Sequence, residues 1–338
     1  MKPTESAVQA PQQVELSVLT IIPVGAIMVA PLASHATIIF SDTFGSGSTI
    51  NGTPFSPTAN SASYQNWSQG ANPANFSIAS GALHYEARNT SSVFAEVQAQ
   101  FAATPISLTT VGDYFHLTLT FTDTLNVLLA GQNASSQLTI GLYDSGGVLP
   151  LTGSRLDVAG FASGGASNWV GYINRIFLNG NGNILTRSAQ NGDLSRNQEL
   201  LFNNAGTGAF NAPTATSVTA NTSSFTGGLT QGNQYTLDYR IELTGASTLT
   251  ISNALYAGAS VAGSPLYSII GVASGATFLT SDFDAFAFGW RRTATAAASS
   301  LDINSITVEA QLVPEPSTIA LIGVGATALI GFYRRFRR

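Results

Sequence analysis

Three carboxylate pairs carry whatever acid–base chemistry this sequence holds: Glu86 with Glu96, Asp238 with Glu242, and Asp282 with Asp284. Two acids a few Å apart on a sheet face can hydrolyse glycosidic bonds. Arg240 stands between Asp238 and Glu242 at strand spacing, which is the pattern of a solvated strand face. Asp282 and Asp284 open a strand. Hard carboxylate oxygens suit calcium, so these two are the calcium candidates, with a polar strand entry as the bland alternative. The histidines are His35, His84 and His116, and no two of them have metal-ligand spacing. Cysteine is absent, which excludes thiol nucleophiles, thiolate metal sites and disulfides. No Gly-x-Ser-x-Gly elbow stands in a strand–turn–helix context. Sugar recognition would use aromatic faces beside Asn, Asp and Gly. Trp67, Trp169 and Tyr172 are the candidates, with core packing competing at each. The expectation is a chain without catalytic residues and without a cofactor.

The elements that must position these groups are strands. Phe115, Leu117, Leu119 and Phe121 alternate with polar neighbours over Tyr114 to Thr122. Gln137 to Tyr143 repeats that rhythm. Asn168 to Leu178 and Ile184 to Ser188 flank Asn179-Gly-Asn-Gly-Asn183, a hairpin turn. Asn75 to Tyr85 reads as a second hairpin about Ser80-Gly81. Gln234 to Thr244 alternates Tyr235, Leu237, Tyr239, Ile241 and Leu243 with polar residues, then turns into Thr248 to Ser252. Phe286, Phe288 and Trp290 share one strand face, with small Ala285, Ala287 and Gly289 opposite. Leu301 to Gln311 closes the series with one slip of spacing, which predicts a bulge. Asp193 to Phe202 is ambiguous, and Asn203 to Thr230 reads as a long polar loop. No fixed repeat and no amphipathic helix of ordinary length interrupts this pattern. The fold expected is all-β, an antiparallel sandwich.

The two ends differ in kind from this body. Val14 to Leu32 is an apolar stretch, broken by Glu15, Ser17, Thr20, Pro23 and Pro31 and preceded only by Lys2. Small Ser34 and Ala36 stand at the −3 and −1 positions of a signal-peptidase site, placing cleavage before Thr37. At the other end comes Val-Pro-Glu-Pro-Ser-Thr, then an uncharged run from Ile319 to Tyr333, then Arg334, Arg335, Arg337 and Arg338 about Phe336. Pro314 and Pro316 stiffen the spacer. The run, as a helix, spans about 22 Å against a hydrocarbon core of about 30 Å. It is long enough to arrest in a membrane, and the arginines place its far end in the cytoplasm.

This order of parts resembles the PEP-CTERM sorting signal of bacterial envelope proteins, with Pro314, Glu315 and Pro316 as its signature. The resemblance implies export, anchoring in the inner membrane through the C-terminal helix, processing by an exosortase-type enzyme, and then residence at the cell surface or outside. It also implies a producer of exopolysaccharide and biofilm. Asp42-Thr43-Phe44, the mid-chain Asn-Gly hairpin and Leu301-Asp302-Ile303 resemble, by order and rhythm, concanavalin A/laminin-G jelly rolls, in which first and last strands pair. The division expected is 1–36 signal peptide, 37–312 β-sandwich and 313–338 sorting and anchor segment. Two smaller sandwiches split near Asn203 to Thr230 are the alternative.

Charge narrows the partners. Between the two terminal segments stand eight basic and fifteen acidic residues, a net charge near −7, and the chain's single lysine is Lys2. That balance argues against nucleic acid and against docking on anionic head groups. The function expected is a structural or adhesive surface or matrix protein. The alternatives are a carbohydrate-binding module for exopolysaccharide and, after it, a glycoside hydrolase or lyase.

Overall fold

The computed structural model describes residues 35–45, 47–50, 60–69, 75–87, 93–125, 137–146, 155–156, 169–177, 180–189, 200–201, 216–218, 220–222, 224–225, 227–292 and 299–313. All of them belong to one compact unit, Ala33–Glu315. The expected signal segment through Ser34 and the tail from Pro314 onward, with its expected helix, lie outside the described residues. Among the described residues no helix is long and apolar enough to cross a membrane.

The principal strands are β1 (Thr37–Asp42), β2 (Ser63–Gln69), β3 (Asn75–Ala79), β4 (Ala82–Ala87), β5 (Val93–Gln100), β6 (Tyr114–Leu125) and β7 (Gln137–Asp144). Then come β8 (Val170–Phe177), β9 (Asn183–Arg187), β10 (Gln234–Gly245), β11 (Thr248–Ala257), β12 (Tyr267–Ser274), β13 (Ala285–Arg292) and β14 (Ser299–Gln311). They form two nine-stranded sheets, filled out by short edge strands. Sheet one runs β12-β11-β10-β6-β14-β4-β3, with β1 also on β14. Sheet two runs β2-β5-β13-β7-β8-β9. Every ladder between these principal strands is antiparallel.

Period-two alternation explains why two sheets meet. Phe115, Leu117, Leu119 and Phe121 are fully buried, as are Phe286, Phe288 and Trp290, all in one core. The aromatics of β13 each meet a ring from sheet one: Phe286 with Phe40 at 6.1 Å, Phe288 with Phe121 at 5.9 Å and Trp290 with Tyr85 at 4.0 Å between centroids. Each such pair adds about 0.5–1.5 kcal/mol beyond the area it buries. Polar bonds cross the same gap: Asn253 Nδ2 donates to Asn174 Oδ1 at 2.5 Å, and Tyr239 Oη donates to the Tyr172 carbonyl at 3.0 Å.

First and last strands pair, as the jelly-roll resemblance implies, with Thr37 opposite Ala310. β14 carries the expected slip between Ile303 and Ser305 against β6, and another between Ser300 and Leu301. The hairpin at Ser80-Gly81 has positive φ at both residues, 55° and 76°, the geometry of a two-residue turn between right-twisted strands. β12 has no counterpart in the sequence reading. Its Ile270 and Val272 lie exposed on the solvent side, so apolar residues stand on both faces and the alternation is hidden.

The chain leaves β14 under restraint. Gln311 is its last paired residue, opposite Tyr114. Two residues on, the Val313 N–H donates to Asp113 Oδ1 at 2.5 Å. Asp113 Oδ2 accepts from the Thr109 and Thr110 N–H groups at 2.8 Å each.

Candidate functional site

Alternation in sheet two sends one set of residues into the core and the other outward. In β5 Val97 and Ala99 face the core, so Glu96, Gln98 and Gln100 face outward. In β7 the outward set is Gln137, Thr139, Gly141 and Tyr143. In β8 it is Gly171, Ile173 and Arg175, and in β9 Leu185 and Arg187. β13 contributes the small residues Ala285, Ala287 and Gly289 and, by alternation, the position of Arg291, whose side chain is outside the described set. Ladder register sets them in rows. Glu96 stands opposite Gly289, Gly289 opposite Thr139, and Thr139 opposite Arg175.

This outward face is nonetheless buried. Glu96 and Arg187 have no exposed surface. Over it lies the dipeptide Leu200–Leu201, in a small apolar cluster with Tyr143, Trp169, Ile173, Leu185, Ala285 and Ala287. The dipeptide's backbone is held by side chains of the sheet. Its two N–H groups donate to Glu96 Oε1 and Oε2, each at 3.0 Å. Its carbonyls accept from Tyr143 Oη at 2.8 Å and Arg175 Nη2 at 3.5 Å. Gln98 Nε2 donates to Glu96 Oε1 at 2.5 Å, and Arg187 Nη1 to the Trp169 carbonyl.

Electrostatics follow from this crowding. Burial pushes the Glu96 carboxyl up to about 7, against the pull of its hydrogen bonds and of Arg187. Burial raises the Tyr143 phenol well above its ordinary value; Arg187 and Arg175 oppose that rise and Glu96 adds to it. The Tyr143 ring crosses two glycines. A Cβ at Gly141 would lie 2.5 Å from Tyr143 Oη, and one at Gly171 2.7 Å from Tyr143 Cδ1. Only glycine allows that approach. Buried oxygens of this face without a hydrogen-bond partner among the described residues include Gln100 Oε1, Gln137 Oε1 and Thr139 Oγ1.

The residues singled out in the sequence distribute as follows. Trp67 lies in β2 opposite Glu96 in register, and its side chain is outside the described set. Trp169 is fully buried in the small cluster. Tyr172 is fully buried between the sheets, donating to the Thr280 carbonyl at 3.1 Å. Glu86 and Glu96 are not brought together, since β4 belongs to sheet one and β5 to sheet two. On the outer face of sheet one, Arg240 Nη2 donates to Glu242 Oε2 at 2.8 Å and its guanidinium lies 3.5 Å from the Tyr114 ring centre. Asp238 there bonds His116 Nε2, whose ring also reaches Glu309 at 3.3 Å. His84 pairs with Asp302 at 2.5 Å. Asp284 is fully buried, with its oxygens taken by the Ser145 N–H at 2.8 Å and hydroxyl at 2.5 Å, and burial lifts it to about 6. Asp282 is half-buried at the strand entry. No group of three His, Cys, Asp or Glu fit to hold a metal ion occurs among the described residues. Ala36 is exposed just before β1; Ser34, Pro314, Glu315, Pro316 and the four terminal arginines lie outside the described residues.

Sequence reasoning missed the grouping of Glu96, Tyr143, Arg175 and Arg187. The available signal was the polar series Glu96-Val-Gln98-Ala-Gln100, too polar for an ordinary strand bearing inward Val and Ala.

No curated protein matches the chain at the sequence level. Similar solved structures include peanut lectin, at 12% identity over 74% of this chain and 98% of the lectin, with a TM-score of 0.35. Lectin I of Ulex europaeus matches at 13% over 73% and 92%, TM-score 0.32. The PL-14 alginate lyase of Aplysia kurodai matches at 11% over 74% and 90%, TM-score 0.38. At its C-terminal end, over residues 312–338, the chain carries a PEP-CTERM protein-sorting motif.

Proposed function

We propose that this is an exported bacterial surface or matrix protein, sorted by an exosortase-type enzyme, whose β-sandwich serves a structural or adhesive role without catalysis. The sorting motif at residues 312–338 carries that reading. In it, the apolar run arrests in the inner membrane, the arginines stay in the cytoplasm, and processing passes the sandwich to the cell surface or beyond. The sandwich is taken to be a single jelly roll of the concanavalin A type, bounded by the Thr37 and Val313 processing regions. Deleting Val313 to Arg338 and fractionating the producing cells tests the sorting. The expected result is loss of membrane-associated precursor and altered surface display; unchanged localisation would refute it.

A second reading is favoured by one feature, the covered polar face of sheet two, whose Gln100, Gln137 and Thr139 oxygens have no partner among the described residues. Such a face suits a carbohydrate, which brings many hydroxyl donors, and the producer's own exopolysaccharide is the partner this reading names. A glycan array read with the purified protein separates the two: a purely structural domain retains no glycan.

A further inference from the structure

We propose that the end of the sandwich bearing Val111, Leu312 and Ile38 rests on the lipid bilayer that holds the C-terminal apolar run, so the uncut precursor meets the membrane through its folded domain as well as its tail. The inference rests on the anchored precursor of the reading above and adds a lipid contact for the sandwich itself.

Strand order puts both junctions of the chain at one end. β1 begins at Thr37 opposite Ala310, and β14 ends one residue later at Gln311. Tyr114, the start of β6, lies opposite Gln311 and opposite Glu242 near the end of β10. The chain thus enters the sandwich after the expected signal cleavage and leaves it toward the tail side by side.

Apolar side chains stand out from this end. Val111 is 59% exposed, Leu312 46% and Ile38, opposite Glu309, 58%. Single exposed apolar residues are ordinary; these gather where the chain leaves for the membrane. Val111 has no freedom to fold back. It sits at the second position of a turn closed by the Asp113 N–H donating to the Thr110 carbonyl at 2.8 Å, with Gly112 at φ 98° in the third. Asp113 fixes that turn through the Thr109 and Thr110 N–H groups and fixes the exit through the Val313 N–H. Val313 is half-buried against the turn, its Cγ2 3.5 Å from where a Cβ on Gly112 would stand. Turn and exit are therefore one rigid ledge.

The tail brings the ledge to the bilayer. Only Pro314 to Thr318 separate Val313 from the apolar run at Ile319. Five residues reach at most about 18 Å, and the head-group layer on each side of the hydrocarbon is about 6 Å deep. A tether this short keeps the ledge at high effective concentration near the lipid, so a contact of few side chains suffices.

Charge decides the kind of contact. The body between the terminal segments has a net charge near −7, so attraction to anionic head groups does not hold it there. Ionisable groups beside the ledge are paired within the fold, Arg240 with Glu242 at 2.8 Å and His116 with Glu309 at 3.3 Å. The contact is apolar, and zwitterionic lipid is enough for it.

The test places nitroxide labels on single introduced cysteines, which the chain's lack of cysteine allows. Val111→Cys, Leu312→Cys, Val261→Cys and Ala326→Cys are made in the full chain and reconstituted into phosphatidylcholine vesicles. Val261, 42% exposed, follows β11 at the opposite end of that strand and serves as the water-facing control. Collision with oxygen, which favours lipid, is compared with collision with a water-soluble nickel chelate. The ratio at 111 and 312 should exceed that at 261 by at least threefold, and Val111→Asp should bring the 312 label down to the 261 value. Adding phosphatidylglycerol should not enlarge the contrast. A lipid-like 326 label with 111 and 312 as wet as 261 overturns the contact and leaves the anchored tail standing. A wet 326 label overturns the anchored tail and the contact with it. Equal lipid character at 111, 312 and 261, or a contrast that needs phosphatidylglycerol, overturns the apolar ledge.

Discussion

Glu96 is a buried acid whose folded value, about 7, stands above its ordinary 4.5. A raised carboxyl stabilises the fold while protonated, and that contribution falls as pH rises from about 4.5 to about 7. The shift corresponds to roughly 3 kcal/mol at full ionisation. Asp284, raised from 3.8 to about 6, acts in the same direction between those values. His116 is raised by its bond to Asp238, so its contribution is present below its unfolded value and is lost as pH climbs through the folded one. All three make the sandwich more stable at pH 5 than at pH 7.5. Thermal melts across that range should show the midpoint falling as pH rises, with Glu96→Gln flattening the slope most. A midpoint that rises with pH would contradict this assignment. The bulk sign of the chain says nothing about it, since burial in the fold raises Glu96 and Asp284, and a partner far away in sequence raises His116.

At the scale of elements, two close approaches decide how much change the sandwich tolerates. β7 and β8 come together where the Tyr143 ring crosses Gly171, and a Cβ there would also sit 2.1 Å from the Leu142 carbonyl. Gly171→Ala should cost at least about 1–3 kcal/mol, read as a lower urea midpoint at unchanged slope. The end of β14 is the other. Asp113→Ala would strip an acceptor from the Thr109, Thr110 and Val313 N–H groups together, roughly 3 kcal/mol. Protease susceptibility at Leu312–Val313 should rise in that variant, and mass spectrometry of the fragments would register it. Strong alternation made β6, β10 and β13 legible in advance. β12 escaped because exposed Ile270 and Val272 cancel the period that buried Ile269 would otherwise display.

For the whole molecule, the order of strands decides when sheet one can close. β14 is the last strand in the chain, yet it pairs with β6, β4 and β1 in the middle of sheet one. Sheet one is incomplete until Gln311 has emerged. A chain ending at Ala298 should therefore fail to give a cooperative unfolding transition, whereas one ending at Val313 should give a single transition; equal cooperativity in the two would count against the topology as the reason. The chain's own order of residues was enough to determine the all-β class and the three-part tail, because periodicity, turn residues and a terminal motif are local properties; the joining of first and last strands came only with the resemblance to jelly rolls. Tertiary structure alone decided that Glu96, Tyr143, Arg175 and Arg187 meet around Leu200–Leu201. They come from separate segments, and only ladder register, set by the packing of two sheets, brings side chains so distant in sequence onto one face.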